Sequence, residues 1–472
     1  MGIQRSTFLL AGGKATGAIV TFVGIALFTR QLGSSGIGTF FLFQSVLTLV
    51  VFASNLSIQS AAEKRISEGK PRGEVISSAL ILRAVALIAT VVAILLLRSQ
   101  ITNYLGADLA LYLIAGVVLS NLSEFVMRIM SGDLRIAETA ILRLSQRIVW
   151  LVGGLVLIWY GYGIMGPIIA LLLGLFVMAS WSLLRGNLEF SRPSVQRMRE
   201  LVAFMKYDLI AGASRNVYNW ADVLIIGYFL TPAAVGNYEI AWRVTVIAGL
   251  LSDSISQVVF PQISHWVSQD AIDKIRDGLT EALAMSIALV IPALAGAVIL
   301  AESILSVIFD ISSQEASVSL VILMISRLVF VNFQPMKRIL DGLDRVNLSA
   351  RATLSSAIAN VAFNVVLVQQ FGIVGAAIGT TVAVIIGTIV VVYYLRAYLQ
   401  IDYPTRMAGG FVLASIVMSG VLFGVLSRIR VDTIPSLFGI VLVGALVYFG
   451  ILSLLPPTRQ FLNSQYESFF VS

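Results

Sequence analysis

Five basic residues stand inside long apolar segments of the sequence, where charged side chains are rare. They are Lys14, Arg83, Arg215, Arg243 and Arg327. A cation in hydrocarbon is costly and is kept mainly where it faces a polar interior. Lysine and arginine only donate hydrogen bonds, so the chemistry open to them there is to hold a negative group. The long stems of Lys14, Arg83 and Arg215 could instead carry the charge to lipid headgroups. Arg327 has no acid nearby in the sequence, and its role stays open.

Polar residues accompany two of these cations. Glu239 precedes Arg243 by four residues, one helical turn, so the two charges can pair on one helix face. Asp253 lies further along the same segment. The segment that holds Arg215 carries three more polar residues, Asn216, Asn219 and Asp222. We therefore predict a polar site on these two segments, with Arg215 and Arg243 as its main cations.

The composition excludes several classes of protein. Among 472 residues, 58% are hydrophobic and only 12% are charged, whereas soluble domains carry about 25% charged residues. The net charge of +7 is dispersed along the chain, which favours contact with anionic lipids over nucleic acid. There is no cysteine and the single histidine is His265. We expect no thiol chemistry, no metal site of the Cys or His type, and no cofactor.

The apolar segments are long enough to be membrane-spanning helices, since about 20 residues cross the hydrocarbon core of a bilayer. They lie at about 8–29, 39–61, 75–97, 109–130, 141–160, 164–184, 207–229, 237–262, 279–300, 317–336, 349–369, 373–395, 407–427 and 434–455. These segments lack the alternation of a membrane β-strand. The predicted fold is an all-α polytopic membrane protein with about 14 transmembrane helices.

The basic residues are distributed unequally between the gaps on the two sides of the predicted membrane. With the N-terminus placed in the cytoplasm, the odd-numbered gaps hold only Arg30, Arg98, Arg428 and Arg430. The even-numbered gaps hold most of the others; the gap after the fourth segment is assigned Arg128, Arg135, Arg143 and Arg147. Short loops rich in Lys and Arg stay in the cytoplasm. We therefore expect a multi-pass protein of the cell membrane with both termini cytoplasmic.

A weak internal repeat divides the first twelve segments into two sets of six. Residues 9–14 (LLAGGK) recur as 209–215 (LIAGASR), and Gly163-Ile164-x-Gly166 recurs as Gly372-Ile373-x-Gly375. Because six is even, both halves enter the membrane from the same side, which predicts two lobes related by a pseudo-twofold axis along the membrane normal. The expected divisions are a first six-helix lobe (1–184), a cytoplasmic linker (185–206), a second six-helix lobe (207–397), and two C-terminal helices with a tail (398–472).

Four stretches resemble a known family. They are residues 4–13 (QRSTFLLAGG), 28–40 (FTRQLGSSGIGTF), 230–238 (LTPAAVGNY) and 371–377 (FGIVGAA). This chain resembles the polysaccharide-biosynthesis membrane proteins, the Wzx-type lipid-linked oligosaccharide flippases of the multidrug/oligosaccharidyl-lipid/polysaccharide (MOP) superfamily. Ser34 and Ser35 depart from the family, which often has proline and an acid in this turn.

The resemblance implies a function. In that fold two six-helix lobes enclose a cavity lined by spans 1, 2, 7 and 8, and they alternate in access to the two sides. The chain is then expected to carry a polyprenyl-(pyro)phosphate-linked saccharide to the outer leaflet, for surface polysaccharide or glycoprotein assembly. The cations would hold the anionic headgroup. Asp222 or Asp253 would bind a coupling ion or neutralise a cation. Expected partners are the lipid-linked glycan, membrane lipids and glycan-assembly membrane proteins, with a monomer as the functional unit.

Three alternatives stay open. A lipid II-type flippase of the same superfamily also has two extra helices. A multidrug or other small-molecule antiporter of that superfamily would favour twelve spans and a cavity dominated by acids. An integral membrane glycan enzyme is the least favoured, because the outward loops are short and poor in acids and no Asp-x-Asp motif occurs.

Overall fold

The computed structural model describes residues 3–269 and 271–456, without the side chains of 3–12, 14–15, 206–208, 210–211, 214–215, 251–265 and 267–268. All regular structure within that part of the chain is helical. The helices are α1 (Ile3–Asn55), α2 (Ile58–Ser67), α3 (Arg72–Leu96), α4 (Arg98–Leu105), α5 (Ala110–Gly132), α6 (Ile136–Trp159), α7 (Met165–Arg185), α8 (Val195–Phe229), α9 (Pro232–Ser268), α10 (Ile272–Phe309), α11 (Gln314–Gly342), α12 (Val346–Leu395), α13 (Thr405–Leu426) and α14 (Ile434–Leu454).

Among the described residues, ten helices are long and apolar enough to cross a bilayer by length and composition. They contain twelve of the fourteen predicted spans; those predicted at 207–229 and 237–262 lie on α8 and α9, which are not among the ten. Two of the ten, α1 and α12, each hold two predicted spans and turn at a glycine: Gly33 has φ 68° and Gly372 has φ 58°. Positive φ is accessible to glycine at little cost. The predicted all-α, multi-pass membrane fold is confirmed.

One predicted span ends earlier than expected. The segment placed at 39–61 leaves the helix at Asn55, and Leu56 and Ser57 then adopt positive φ angles of 44° and 61°. The chain resumes as α2, a separate ten-residue helix. Apolar composition continues across this break, so hydropathy could not reveal it.

The chain forms two compact units, residues 1–236 and 237–472. In the first unit, the first half of α1 packs on α6 through small residues. Trp150 of α6 lies edge-on to Phe28, with ring centroids 4.9 Å apart. A Cβ added at Gly24 would lie 2.7 Å from the Trp150 ring, and one at Gly154 would lie 2.4 Å from the Phe28 ring. Glycine therefore allows the close helix approach that membrane packing uses. The division of the chain at 185–206 stays a prediction.

Polar contacts fix both ends of the first unit. At the end where α3 begins, Arg72 donates to Asp133 at 2.9 Å and to the carbonyl oxygens of Gly186 and Asn187 at 3.0 Å. At the opposite end, Tyr104 of α4 donates to the carbonyl oxygen of Leu224 at 2.9 Å, and burial raises the pKa of its hydroxyl. These contacts tie α3, α5 and α7 together at one end, and α4 to α8 at the other.

Candidate functional site

The pair predicted on α9 is present. The Nε of Arg243 lies 3.0 Å from the Oε2 of Glu239. The Glu239 side chain is 3% exposed, whereas that of Arg243 is 26% exposed. A buried carboxylate is tolerated only with a partner, so Arg243 compensates Glu239 and still presents part of its side chain at the surface of the unit.

Arg327 fills a gap beside the same helix. Its side chain is buried on α11, and its guanidinium carbon lies 5.3 Å from the centre of the Phe330 ring. A Cβ added at Gly249 of α9 would stand 1.9 Å from the Nε of Arg327. The guanidinium thus occupies space that only a glycine leaves open, and it joins α9 to α11 within the second unit.

Arg83 is enclosed by partners from neighbouring helices. It is buried on α3, where its Nη2 donates to the backbone and side-chain oxygens of Asn121, the latter at 3.1 Å. Its Nη1 donates to the Oε1 of Gln59 at 3.3 Å. Its guanidinium carbon stands 4.5 Å from the centre of the Phe125 ring. Arg83 therefore links α2, α3 and α5 rather than reaching toward headgroups.

This network continues beyond Arg83. Gln59 donates from Nε2 to the Oε2 of Glu124 at 3.3 Å, and the Oε1 of Glu124 lies 3.8 Å from the Nη1 of Arg143. Asn121 also donates to the Oγ of Ser54 at 2.7 Å. The polar network thus crosses the first unit from α3 to α6, and five of its residues have no role in the predicted site: Ser54, Gln59, Asn121, Glu124 and Arg143.

The remaining predicted site residues fall into two groups. Asn216 is half-buried on α8 and donates to the carbonyl oxygen of Gly212 at 2.9 Å, Asn219 is exposed, and Asp222 is buried. The side chains of Lys14, Arg215 and Asp253 lie outside the described residues. Among the predicted site residues whose side chains are described, Glu239 and Arg243 lie in contact with each other.

A second polar cluster lies in the second unit and was missed by sequence reasoning. Thr380 Oγ1 lies 3.2 Å from the hydroxyl of Tyr238 and accepts from the Nδ2 of Asn360 at 3.2 Å. Asn364 donates to the carbonyl oxygen of Asn360 at 2.8 Å. Asn360 is fully buried, and its Oδ1 has no hydrogen-bond partner. The signal available was two asparagines one turn apart in an apolar span.

Hydrogen bonds define what this cluster can do chemically. The Nδ2 of Asn360 faces Thr380, so its Oδ1 is left as the acceptor for a further hydrogen bond. Within the described ranges no group of three or more His, Cys, Asp or Glu side chains could hold a metal ion.

Comparison with known proteins places the chain in a family. A family model described as polysaccharide biosynthesis protein matches residues 72–317. A protein of Haloferax volcanii called "Probable low-salt glycan biosynthesis flippase Agl15" is 35% identical over 460 residues, which cover 98% of each chain. The chain belongs to the polysaccharide biosynthesis protein family. A second relative from Haloferax volcanii, called "Probable flippase AglR", is 28% identical to this chain over 97% of each chain.

Solved structures show the same fold in more distant proteins. The lipid II flippase MurJ in an inward closed conformation matches with a TM-score of 0.81 at 16% identity, over 95% of this chain and 98% of MurJ. An inward-facing multidrug resistance MATE transporter of the MOP superfamily matches with a TM-score of 0.63 over 80% of this chain. At these identities the likeness establishes the MOP-type fold of this family member and leaves the substrate open.

Proposed function

We propose that this protein is a flippase that moves a polyprenyl-(pyro)phosphate-linked saccharide from the cytoplasmic to the outer leaflet, for assembly of cell-surface glycans. The end-to-end match to a relative named as a glycan biosynthesis flippase carries this proposal. The protein acts as a transporter rather than an enzyme, by alternating access of two six-helix lobes. It lies in the cell membrane as a monomer with cytoplasmic termini, and glycan-assembly proteins receive its product.

Arg243 is the described residue that best suits contact with the anionic headgroup. Its guanidinium can bind phosphate through two parallel hydrogen bonds, and its side chain is partly accessible. Lys14 and Arg215 remain proposed headgroup contacts from their positions in the sequence. Asn216, Asn219, Asp222 and Asp253 remain proposed polar residues of the same pathway. For Arg83 and Arg327 we propose a packing role, because both are buried against other helices of their own unit.

The proposal is tested in cells that lack their own flippase for a lipid-linked glycan. Expression of the wild-type chain is expected to restore glycan on the cell surface and to relieve accumulation of the lipid-linked precursor. Arg428→Ala serves as the matched control, because Arg428 is exposed in the loop after α13. This variant should restore surface glycan fully. The measurement is precursor level by mass spectrometry together with surface glycan staining. Full expression of the wild type with unrelieved precursor, across donors of several glycan types, would contradict the proposal.

A further inference from the structure

The first unit contains a polar cavity whose lining includes none of the predicted site residues. It has a volume of about 240 Å³ and lies between α1, α5, α6 and α7. Polar side chains on three of these helices line it, among them Gln44, Glu124, Arg143, Gln146 and Arg147. The fourth helix, α7, supplies an apolar wall. One side of the cavity can therefore form hydrogen bonds while the other can pack against carbon.

The cavity lies deep along the helices. Gln44 comes eleven residues before the end of α1 at Asn55, about 16 Å at 1.5 Å per residue. Gln146 comes ten residues after the start of α6 at Ile136, about 15 Å. Half the hydrocarbon core of a bilayer is about 15 Å thick. Polar groups at such depth are expensive and usually mark a functional site.

The distribution of basic residues in the sequence places Arg143 and Arg147 in a cytoplasmic gap. That assignment is wrong: both stand inside α6, which begins at Ile136. The guanidinium of Arg147 lies against α1, where a Cβ added at Gly17 would be 2.2 Å from its Nη1. A glycine on the facing helix therefore makes the room that this arginine occupies beside the cavity.

The carboxylate of Glu124 is held in position by a hydrogen bond on the side away from Arg143. Its Oε2 accepts from Gln59 at 3.3 Å, and Gln59 is itself fixed by a hydrogen bond from Arg83. On the other side, its Oε1 is 3.8 Å from Arg143, too far for a direct hydrogen bond and suited to a bridging group. A ligand hydroxyl that bridges the two side chains would accept a hydrogen bond from the Arg143 guanidinium and donate one to the Glu124 carboxylate.

We propose that this cavity binds one phosphorylated sugar unit. Arg143 and Arg147 outnumber the single carboxylate of Glu124, which favours an anion, and arginine suits phosphate. The amides of Gln44 and Gln146 with Glu124 suit sugar hydroxyls, while the α7 wall suits the C–H face of the ring. The volume equals roughly eight water molecules at ~30 Å³ each, which suits a single ring rather than an oligosaccharide.

Two sources supply this chemistry. One is the first sugar and phosphate of a lipid-linked glycan, and this assignment rests on the proposed function. The other is a free sugar phosphate from the cytosol. The two are distinguished by probing the purified full-length protein in nanodiscs with glucose 1-phosphate in one arm and polyprenyl-phosphate glucose in the other.

The expected result is saturable binding that depends on the cavity. Gln146→Ala and Arg147→Gln should each raise the dissociation constant at least tenfold, whereas Arg192→Gln, in the exposed segment before α8, should leave it unchanged. Thermal unfolding of each variant shows that it is folded, and Gln146→Ala is the milder change if Arg147→Gln loses stability. Binding of glucose 1-phosphate alone assigns the site to the free sugar phosphate; binding of the lipid-linked probe, with or without binding of glucose 1-phosphate, assigns it to the glycan.

Absence of saturable binding in both arms would overturn the proposal, as would wild-type affinity in both cavity variants. The proposed function has a separate test, the transport of lipid-linked glycan in cells. If the wild-type protein transports the glycan but the folded cavity variants bind the probes with full affinity, the cavity site is refuted and the flippase function stands. If the wild-type protein binds glucose 1-phosphate but does not relieve accumulation of the precursor, the flippase function is refuted and the cavity site stands.

Discussion

Arg243→Gln is expected to slow transport of lipid-linked glycan by roughly 10- to 100-fold, the effect of losing one charged hydrogen bond of about 1.5–3 kcal/mol. The change removes the partly accessible guanidinium that we assign to the headgroup. It also breaks the ion pair with the Glu239 carboxylate, which is 3% exposed. Removing one partner of a buried ion pair is destabilising, so a single variant cannot separate binding from folding.

The double variant Glu239→Gln with Arg243→Gln separates the two roles. It removes both charges of the pair and leaves two neutral amides four residues apart, so it avoids the cost of removing one partner of a buried ion pair. If Arg243 contacts the headgroup, the double variant regains thermal stability but stays as slow as Arg243→Gln. Initial transport rates in vesicles, normalised to folded protein, measure this. Recovery of transport in the double variant would show that Arg243 serves only to pair Glu239.

Arg83→Ala is expected to lower stability by about 3 kcal/mol. Arg83 makes three hydrogen bonds to Gln59 and Asn121, each contributing about 0.6 kcal/mol in a membrane protein. Its contact with the Phe125 ring adds about 1–2 kcal/mol. The alanine also leaves a cavity between α3 and α5. Reversible unfolding of the purified protein in detergent measures the loss.

Arg83→Met is the matched comparison, because it keeps most of the side-chain volume and removes the buried charge. Replacement of a buried ionic group by an apolar one of similar volume is often nearly neutral, so it should cost about half as much as the alanine or less. Both variants are expected to transport at the wild-type rate per folded molecule. Normal stability with lost transport in both would instead make Arg83 a headgroup ligand.

Local features of the fold were predictable from the sequence because they depend on neighbours along the chain. Hydropathy located the spans, and the pair of Glu239 and Arg243 follows from one helical turn. The turns at Gly33 and Gly372 coincide with the gaps between predicted spans. In each case the cause lies within a few residues.

Features that depend on distant residues were not predictable in this way. Arg83 and Arg243 look alike in the sequence, yet Arg83 is surrounded by Asn121 and Gln59 from other helices. The cluster of Tyr238, Asn360 and Thr380 joins residues up to 142 positions apart. Hydropathy reports that a segment enters the membrane but not which neighbour faces a given side chain, so the polar interiors of both units became visible only in the structure.

The proposed function requires that the protein itself move a lipid-linked saccharide between leaflets. The most direct measurement uses the purified wild type in sealed proteoliposomes that contain a polyprenyl-diphosphate-linked sugar, with a membrane-impermeant enzyme modifying the sugar only in the outer leaflet. Protein-free vesicles and vesicles with Arg243→Gln serve as controls. We expect the wild type to make nearly all of the labelled lipid accessible, while protein-free vesicles stop at about the half that starts outside. Accessibility that stops at that half with folded wild type, for every lipid-linked saccharide tried, would contradict the proposed function.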